Sequence, residues 1–354
     1  MSLQELFDQT ISGWMDGTGP SSDIVISSRI RLARNIEGLP LPHVLDAERA
    51  QEVIEKVERA VDDVNKRGNL GNLKMYLYKD ISALERQILV EKHLVSPALG
   101  QGCPNCGAAV NKEGTVSILI NEEDHLRLQC LQSGLQLEET WELCSALDDG
   151  LEEEIEYAFQ EKYGYLTACP TNVGTGLRGS VMIHLPGLVM TGQVGRILNT
   201  VGQLGLAVRG FYGEGSEAAG NIFQLSNQIT LGHEEEKMIE NLESVTRQIF
   251  EQEQAAREAL MSSAKTNMED RVWRSYGVLT NARIVKSTEA LQLLSDIRLG
   301  SELGVLPSIG TKTLNELLVI IRPAYLQWLA GSSLETEERD HMRAGIIREK
   351  LGKS

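Results

Sequence analysis

The sequence predicts an α+β fold: an antiparallel sheet flanked by helices, joined to an all-helical C-terminal domain. Three observations predict it. Strand-like segments come in neighbouring pairs, as hairpins do. Helical segments gather in blocks instead of alternating with strands. After about residue 265 strands stop, and leucines recur at helical spacing up to the C-terminus.

The elements follow in order. Residues 1–22 form a short N-terminal segment. Asp23 to Arg34 reads as a strand whose alternation places Arg29 and Arg31 on one face and Ile30 and Leu32 on the other. Residues 46–66 form a helix, with Val53, Val57, Val61 and Val64 near one stripe. Val116 to Ile120 and Leu126 to Cys130 flank an acidic turn as a hairpin. Acidic helices are expected over 136–161, and strands over 163–168, 180–185, 204–212 and 221–229. A long polar helix runs from about 232 to 262. Leu291, Leu294, Ile297, Leu299 and Leu303, then Leu314, Leu317, Leu318 and Ile321, mark the helices of a domain spanning 265–354. Pro307 and Pro323 break its segments. No internal repeat or low-complexity stretch is present.

A chain of 354 residues suits one large or two medium domains. The net charge of −16 argues against direct nucleic-acid binding and favours basic partners. No apolar run is long enough to cross a membrane. Met1 to Met15 contains acids and does not read as a signal peptide. Five cysteines, at 103, 106, 130, 144 and 169, are odd in number and unevenly spaced, so no disulfide framework is expected and a reducing cytoplasm is.

The densest chemistry lies in Cys169-Pro170-Thr171-Asn172-Val173-Gly174-Thr175-Gly176-Leu177-Arg178-Gly179, between two strand-like segments. Glycines let backbone N–H groups approach an anion, and arginine offers a fixed fork of donors to phosphate. Gly174-x-Gly176-x-x-Gly179 matches the spacing of the dinucleotide fingerprint, but a strand follows it where that motif opens a helix. A Walker lysine and protein-kinase signatures are absent. Nucleotide bound here would therefore be held by arginines. Arg29, Arg31, Arg127, Arg178 and Arg209 all sit beside turns or on one strand face, which suits a polyphosphate clamp; salt-bridged or solvated arginine is the competing reading.

Glu122, Glu123 and Asp124 crowd one turn, and Glu214 sits between two glycines. Separate carboxylates could grip and deprotonate a guanidinium; a solvated acidic turn is the alternative. Cys103-Pro104-Asn105-Cys106 supplies half of a zinc site at most, so no metal ligands are assigned and a flexible loop is expected. Cys130 and Cys144 fall in apolar surroundings and read as core. Arg339 and Arg343 lie one helical turn apart with Asp340 beside them, a set suited to a ligand of mixed charge or to an ordinary charged helix.

Taken together, Ser27-Ser28-Arg29-Ile30-Arg31, Asn121 to Arg127 and Cys169 to Gly179 resemble the catalytic domain of the phosphagen (guanidino) kinases over about residues 23–254. Creatine and arginine kinases carry a helical N-terminal domain of roughly a hundred residues. This chain has a helical C-terminal domain with Arg339-Asp340-x-x-Arg343-Ala344 instead, and so is similar to the bacterial protein-arginine kinases. The missing domain helps enclose a small substrate, so its absence implies a more open site.

The resemblance implies the residue roles. Glu123 matches the catalytic base, Cys169 the reactive cysteine near the substrate guanidinium, and Glu214 the loop supplying a second carboxylate. ATP would be bound by Ser27 to Arg31, His93, Arg127, Arg178 with Gly179, Ser180, Val181 and Met182 after it, and Arg209 with Gly210, Phe211, Tyr212 and Gly213. His93 rests on the short context Lys92 to Pro97. Arg339, Asp340, Arg343 and Ala344 would bind phosphoarginine. ATP and Mg²⁺ are the implied cofactors. Implied too are protein substrates with exposed arginines, among them a heat-shock repressor and unfolded proteins, an activator protein, a Clp ATPase and protease in the stress response, and a homodimer. The rivals are a small-molecule arginine kinase, against which the short N-terminus speaks, and a non-catalytic phosphoarginine-binding adaptor, against which the intact Glu123, Cys169 and arginines speak.

Overall fold

A central eight-stranded antiparallel sheet organises the protein, a computed structural model that describes residues 2–68, 70–100, 105–210 and 219–352. Its strands include β1 (Val25–Arg34), β2 (Lys74–Leu77), β3 (Gly107–Val110), β4 (Val116–Ile120) and β5 (Leu126–Ser133). A separate small hairpin follows, made of β6 (Phe159–Gln160) and β7 (Gly164–Tyr165). The sheet resumes with β8 (Leu177–His184), β9 (Leu206–Arg209) and β10 (Ile222–Asn227). The order across it is β2-β3-β4-β5-β1-β8-β10-β9, so β1 lies between β5 and β8.

Helices α1 (Leu3–Asp8), α2 (Ala47–Arg67), α3 (Ala83–Glu91), α4 (Pro97–Gly100), α5 (Leu137–Glu152), α6 (Pro186–Met190), α7 (Val194–Gln203) and α8 (Glu235–Ser263) surround the sheet. Then come α9 (Lys265–Asn281), α10 (Ser287–Glu302), α11 (Thr311–Ile320), α12 (Pro323–Ala330) and α13 (Thr336–Gly352). The Asp46 side chain starts α2 by accepting the Arg49 N–H at 2.8 Å, and Gly68, at φ 74°, ends it in the left-handed region.

Two cores divide the sheet by face. Ile30 and Leu32 point to one side, where Val53, Val57 and Val61 of α2 pack with Leu147 of α5 and Leu242 of α8. Each such side chain, fully buried, contributes about 1.5–3 kcal/mol. On the other side Leu119, Leu131 and Met182 pack in one cluster with α9 to α13 and with Leu6, Phe7, Trp14 and Met15 from the first residues. Hydrogen bonds sew these distant segments together. The Tyr325 hydroxyl donates to Phe7 O, Asn315 Nδ2 to Met15 O at 3.1 Å, and Thr10 Oγ1 to Glu316 Oε1 at 2.6 Å.

Several elements differ from expectation. The helix expected to 161 ends at Glu152. Four acids at 152–154 and 156 oppose the negative end of the helix dipole, and Glu156 O turns aside to accept the Glu37 N–H. Of the strand expected over 163–168 only Gly164 and Tyr165 pair, because the amides and carbonyls that follow bond elsewhere. Leu166 O accepts from the Asn35 side chain and Ala168 N donates to the Asp124 side chain. β8 begins at Leu177, so Arg178 belongs to a strand and not to the turn. β10 is shorter than the expected 221–229, and β9 starts at Leu206 instead of 204, while residues 211 and 212 of that expected strand lie outside the described residues. One disulfide involves Cys106, whereas none was expected; Cys130, Cys144 and Cys169 are free thiols. Cys103 lies outside the described residues.

Candidate active site

Strand register explains how distant arginines meet. Residues directly opposite each other in an antiparallel pair share a face. Arg31 on β1 lies opposite Gln129 of β5 and Arg178 of β8. Arg29 lies opposite Ser180, Arg127 opposite Ala33, and Arg209 on β9 opposite Gln224 on β10. All of these except Ser180 line one cavity of about 200 Å³ with His93, Ser96, Glu123 and Asn172. The five expected arginines are thus brought together.

Like charge accumulates there. Burial, then Arg127 and Arg178, lowers the pKa of Arg29 to about 10. Burial and the same neighbours, with Arg29, hold Arg31 well below the ordinary arginine range. Arg29 Nε donates to Ser180 Oγ at 3.2 Å, while Arg31 Nε is buried without a hydrogen-bond partner. A polyanion entering the cavity would relieve this repulsion.

His93 follows α3 and takes φ 59°. Gln129 Nε2 donates to its carbonyl at 2.9 Å, and the Trp14 ring meets it edge-on at 5.4 Å. Burial, then Arg29 and Arg322, lowers its pKa to about 3, so it enters the site as neutral imidazole.

The acidic turn forms the mouth. Arg127 Nη1 donates to Glu122 Oε2 at 3.0 Å, and its Nη2 to Glu123 Oε2. Glu122 also accepts the Ser96 hydroxyl at 2.8 Å. The Glu123 side chain is 42% exposed, the Glu122 side chain 11%, so Glu123 is the carboxylate that faces outward. Cys169 is half-buried, its Sγ 3.0 Å from Thr171 Oγ1, in the loop that sends Asn172 into the cavity.

Other expected residues sit behind this lining. Ser28 Oγ donates to Gly134 O and accepts the Gln136 N–H, both at 2.9 Å. Ser27 is buried opposite Ser133 and Met182. Ile30 and Val181 point into the apolar core under the sheet, and Met182 into the other. Gly179 N donates to Asn227 Oδ1 at 2.8 Å. Gly210 is buried; Phe211, Tyr212, Gly213 and Glu214 lie outside the described residues. Ser96, Gln129, Asn172 and Gln224 line the cavity without having been singled out, and only the strand register reveals the two glutamines.

At the C-terminal motif, Arg343 is buried on α13. It pairs with Asp340 and donates to Ile321 O and Val285 O, both at 2.9 Å. Arg339 instead donates to Leu334 O at 2.6 Å and to Thr336 Oγ1 at 3.1 Å. Ala344 is core.

Two family models match. The ATP:guanido phosphotransferase C-terminal catalytic domain covers residues 52–256, and the protein-arginine kinase McsB C-terminal domain covers 265–354. The chain is 52% identical over 340 residues to the protein-arginine kinase of Moorella thermoacetica, covering 96% of this chain and 97% of that protein. It is 51% identical over 348 residues to that of Pelotomaculum thermopropionicum, covering 98% of both. Among solved structures, lombricine kinase matches with TM-score 0.58 and 26% identity over 72% of this chain and 71% of that one. The duplicated taurocyamine kinase of Schistosoma mansoni shares the fold, with TM-score 0.59 and 24% identity over 80% of this chain and 44% of that one. The chain therefore belongs to the ATP:guanido phosphotransferase family and, within it, to the protein-arginine kinases.

Proposed function

We propose that this chain transfers the γ-phosphoryl group of ATP to arginine side chains of proteins, with Glu123 as base. The observation that carries the assignment is the row of arginines on one sheet face with Glu123 at its mouth. Phosphates would occupy the cage of Arg29, Arg31, Arg127, Arg178 and Arg209 and spread their developing charge over fixed donors. Mg²⁺ would add charge neutralisation at the phosphates. Among the described residues lining the cavity, Glu123 is the one carboxylate and is already paired with Arg127, so the ion would be held chiefly by the nucleotide.

Glu123 now grips the guanidinium of Arg127. A substrate guanidinium can replace it in kind. Arg127 is then freed toward the phosphates, and Glu123 orients the incoming nitrogen. As the N–P bond forms and the bond to ADP breaks, the proton leaves nitrogen for Glu123. Cys169 holds a second edge of the guanidinium, and Glu214 supplies the second carboxylate. Phosphoarginine would bind at Arg339, Asp340, Arg343 and Ala344, its phosphate on arginines and its guanidinium on Asp340. Engaging it would draw Arg343 from the two carbonyls it now serves.

The family resemblance further supports a cytoplasmic enzyme, acting as a homodimer with an activator on a heat-shock repressor and unfolded proteins, and marking them for a Clp protease. Among the described residues no helix is long and apolar enough to cross a membrane.

The test incubates the protein with Mg-ATP and either a basic unstructured protein or free arginine, and reads acid-labile phosphate by mass spectrometry. Phosphoarginine in the protein substrate is expected. Label on free arginine alone would make the chain a phosphagen enzyme. Glu123→Gln should keep ATP binding and lose at least about a hundredfold in turnover; equal turnover sinks the base assignment. Asp340→Ala should abolish any response of the rate to added phosphoarginine, and an unchanged response would refute that site.

A further inference from the structure

The cavity accounts for Glu123 and for the Cys169 loop separately, but not for what holds them in register. They come from segments more than forty residues apart in sequence. Between them lies a buried polar pair that no step of the transfer uses. Asp124 is 1% exposed and Asn35 is 2% exposed.

We infer that Asn35 and Asp124 form a clamp that fixes Glu123 against the Cys169 loop, which makes both of them positioning residues of the transfer reaction. The geometry is reciprocal. Asp124 Oδ1 accepts the Asn35 Nδ2–H and the Ala168 N–H, each at 2.7 Å. Ala168 is the residue before Cys169, and Asp124 the residue after Glu123. One carboxylate oxygen therefore joins the base segment to the thiol segment. Asn35 closes the arrangement from both ends. Its Oδ1 accepts the His125 N–H at 2.8 Å, and its Nδ2 also donates to Leu166 O at 2.9 Å. His125 completes the anchor: its Nδ1 accepts the Ile36 N–H at 3.0 Å, which leaves Nε2 to donate to Pro40 O at 2.8 Å. Within the acidic turn, Asn121 N donates to His125 O at 2.9 Å and Glu122 N to Asp124 O at 3.2 Å. On the other side the Thr167 hydroxyl donates to Cys169 O at 2.8 Å.

Charge adds weight to this role. A neutral side chain could have made the same two links. Here a carboxylate is buried and its Oδ2 has no hydrogen-bond partner. Burial raises its pKa, opposed by the Ala168 N–H, Asn35 and Arg127. A fold rarely keeps such a group where only shape is needed. A short, charge-assisted acceptor holds two loops more stiffly than an amide does. Positioning to within a fraction of an ångström is what in-line transfer requires.

The inference rests on Glu123 being the base, which the Glu123→Gln turnover tests by itself. The deciding experiment compares Asp124→Ala, Asp124→Asn and Asn35→Ala with the parent in three readouts. These are kcat against KM for Mg-ATP, the rate of Cys169 alkylation by iodoacetamide, and alkylation of Cys130 and Cys144 as a check on folding. Expected are a kcat at least about thirtyfold lower in Asp124→Ala and Asn35→Ala, KM for ATP within about threefold of the parent, and Cys169 alkylation changed by about fivefold or more. Asp124→Asn keeps the acceptor oxygen and should regain about a third or more of the lost activity on a logarithmic scale. Parent-like kcat in the alanine variants would overturn the clamp. So would KM for ATP rising in step with the loss, or exposure of Cys130 and Cys144 in Asp124→Asn and Asn35→Ala alike, since either result marks a general support of the fold.

Discussion

Replacing Asp148 by alanine isolates the worth of one buried ion pair behind the active-site turn. Arg34 closes β1 and its side chain is 2% exposed; that of Asp148 is 10% exposed. The carboxylate accepts Arg34 Nη2 at 2.6 Å and Nε at 3.1 and 3.2 Å. Nη1 donates to Ala33 O at 3.0 Å and to Thr175 O at 2.9 Å, and the guanidinium carbon lies 3.5 Å from the Tyr165 ring centre. Asp148→Ala keeps this cation buried and removes its counter-charge, a change that costs about 3–5 kcal/mol. At about 2.1 cal/mol/K of unfolding entropy per residue, 354 residues give about 0.7 kcal/mol per degree. The expected fall in melting temperature is therefore about 4–7 °C by scanning calorimetry at a fixed scan rate. Arg34→Met combined with Asp148→Leu restores an apolar pair of similar volume and should regain most of that loss. It should not regain turnover, because Thr175 O then lacks its donor beside Gly176. A fall of less than about 1 °C in Asp148→Ala would refute the argument, as would full activity in the double variant.

Two further outcomes follow from charge. Arg31→Gln removes one of the mutually repelling cations, whose buried Nε has no hydrogen-bond partner. The ligand-free protein should melt no lower than the parent, while affinity for Mg-ATP falls about tenfold or more, matching one lost charge-assisted bond of about 1.5–3 kcal/mol; thermal shift with and without nucleotide reads both. Glu91, at the end of α3, accepts the Ala324 and Tyr325 N–H groups at 2.9 and 2.8 Å, and burial raises its pKa from 4.5 to about 7 against the pull of those bonds and of Arg322 and Arg343. The folded state thus holds the proton more tightly. This stabilisation is full below about pH 4.5 and is lost as pH rises through about 7. Glu91→Gln stays neutral throughout, so the melting temperature of the parent relative to this variant should decline from pH 5 to pH 8. A constant or growing difference would contradict it.

Much of the site is legible in the sequence because its signals are local. Alternation alone places Arg29 and Arg31 together with Ile30 and Leu32 behind them, and the glycine run marks a tight turn. What the sequence does not display is partnership across the fold. Nothing near Arg34 announces Asp148, more than a hundred residues later, and nothing near Asn35 announces Ala168. Gln129 and Gln224 reach the cavity only through register, a property of pairs of strands. The same cause shortens the strand expected at 163–168. Its backbone groups are claimed by side chains of Asn35 and Asp124, and no pattern of hydrophobicity records such a claim.

The contacts that tie Phe7, Thr10 and Met15 to Tyr325, Glu316 and Asn315 set a timetable for synthesis. The first residues leave the ribosome about three hundred residues before their partners do, at roughly 5–20 residues per second. For tens of seconds Leu6, Phe7 and Trp14 have no helices α11 and α12 to cover them. Closing so long a loop adds little entropy cost once both ends exist, because the penalty grows only logarithmically with length. The delay is therefore one of supply and not of thermodynamics. A chain stalled or cut before residue 311 would expose that apolar face and be a client for the cell's own chaperones and proteases.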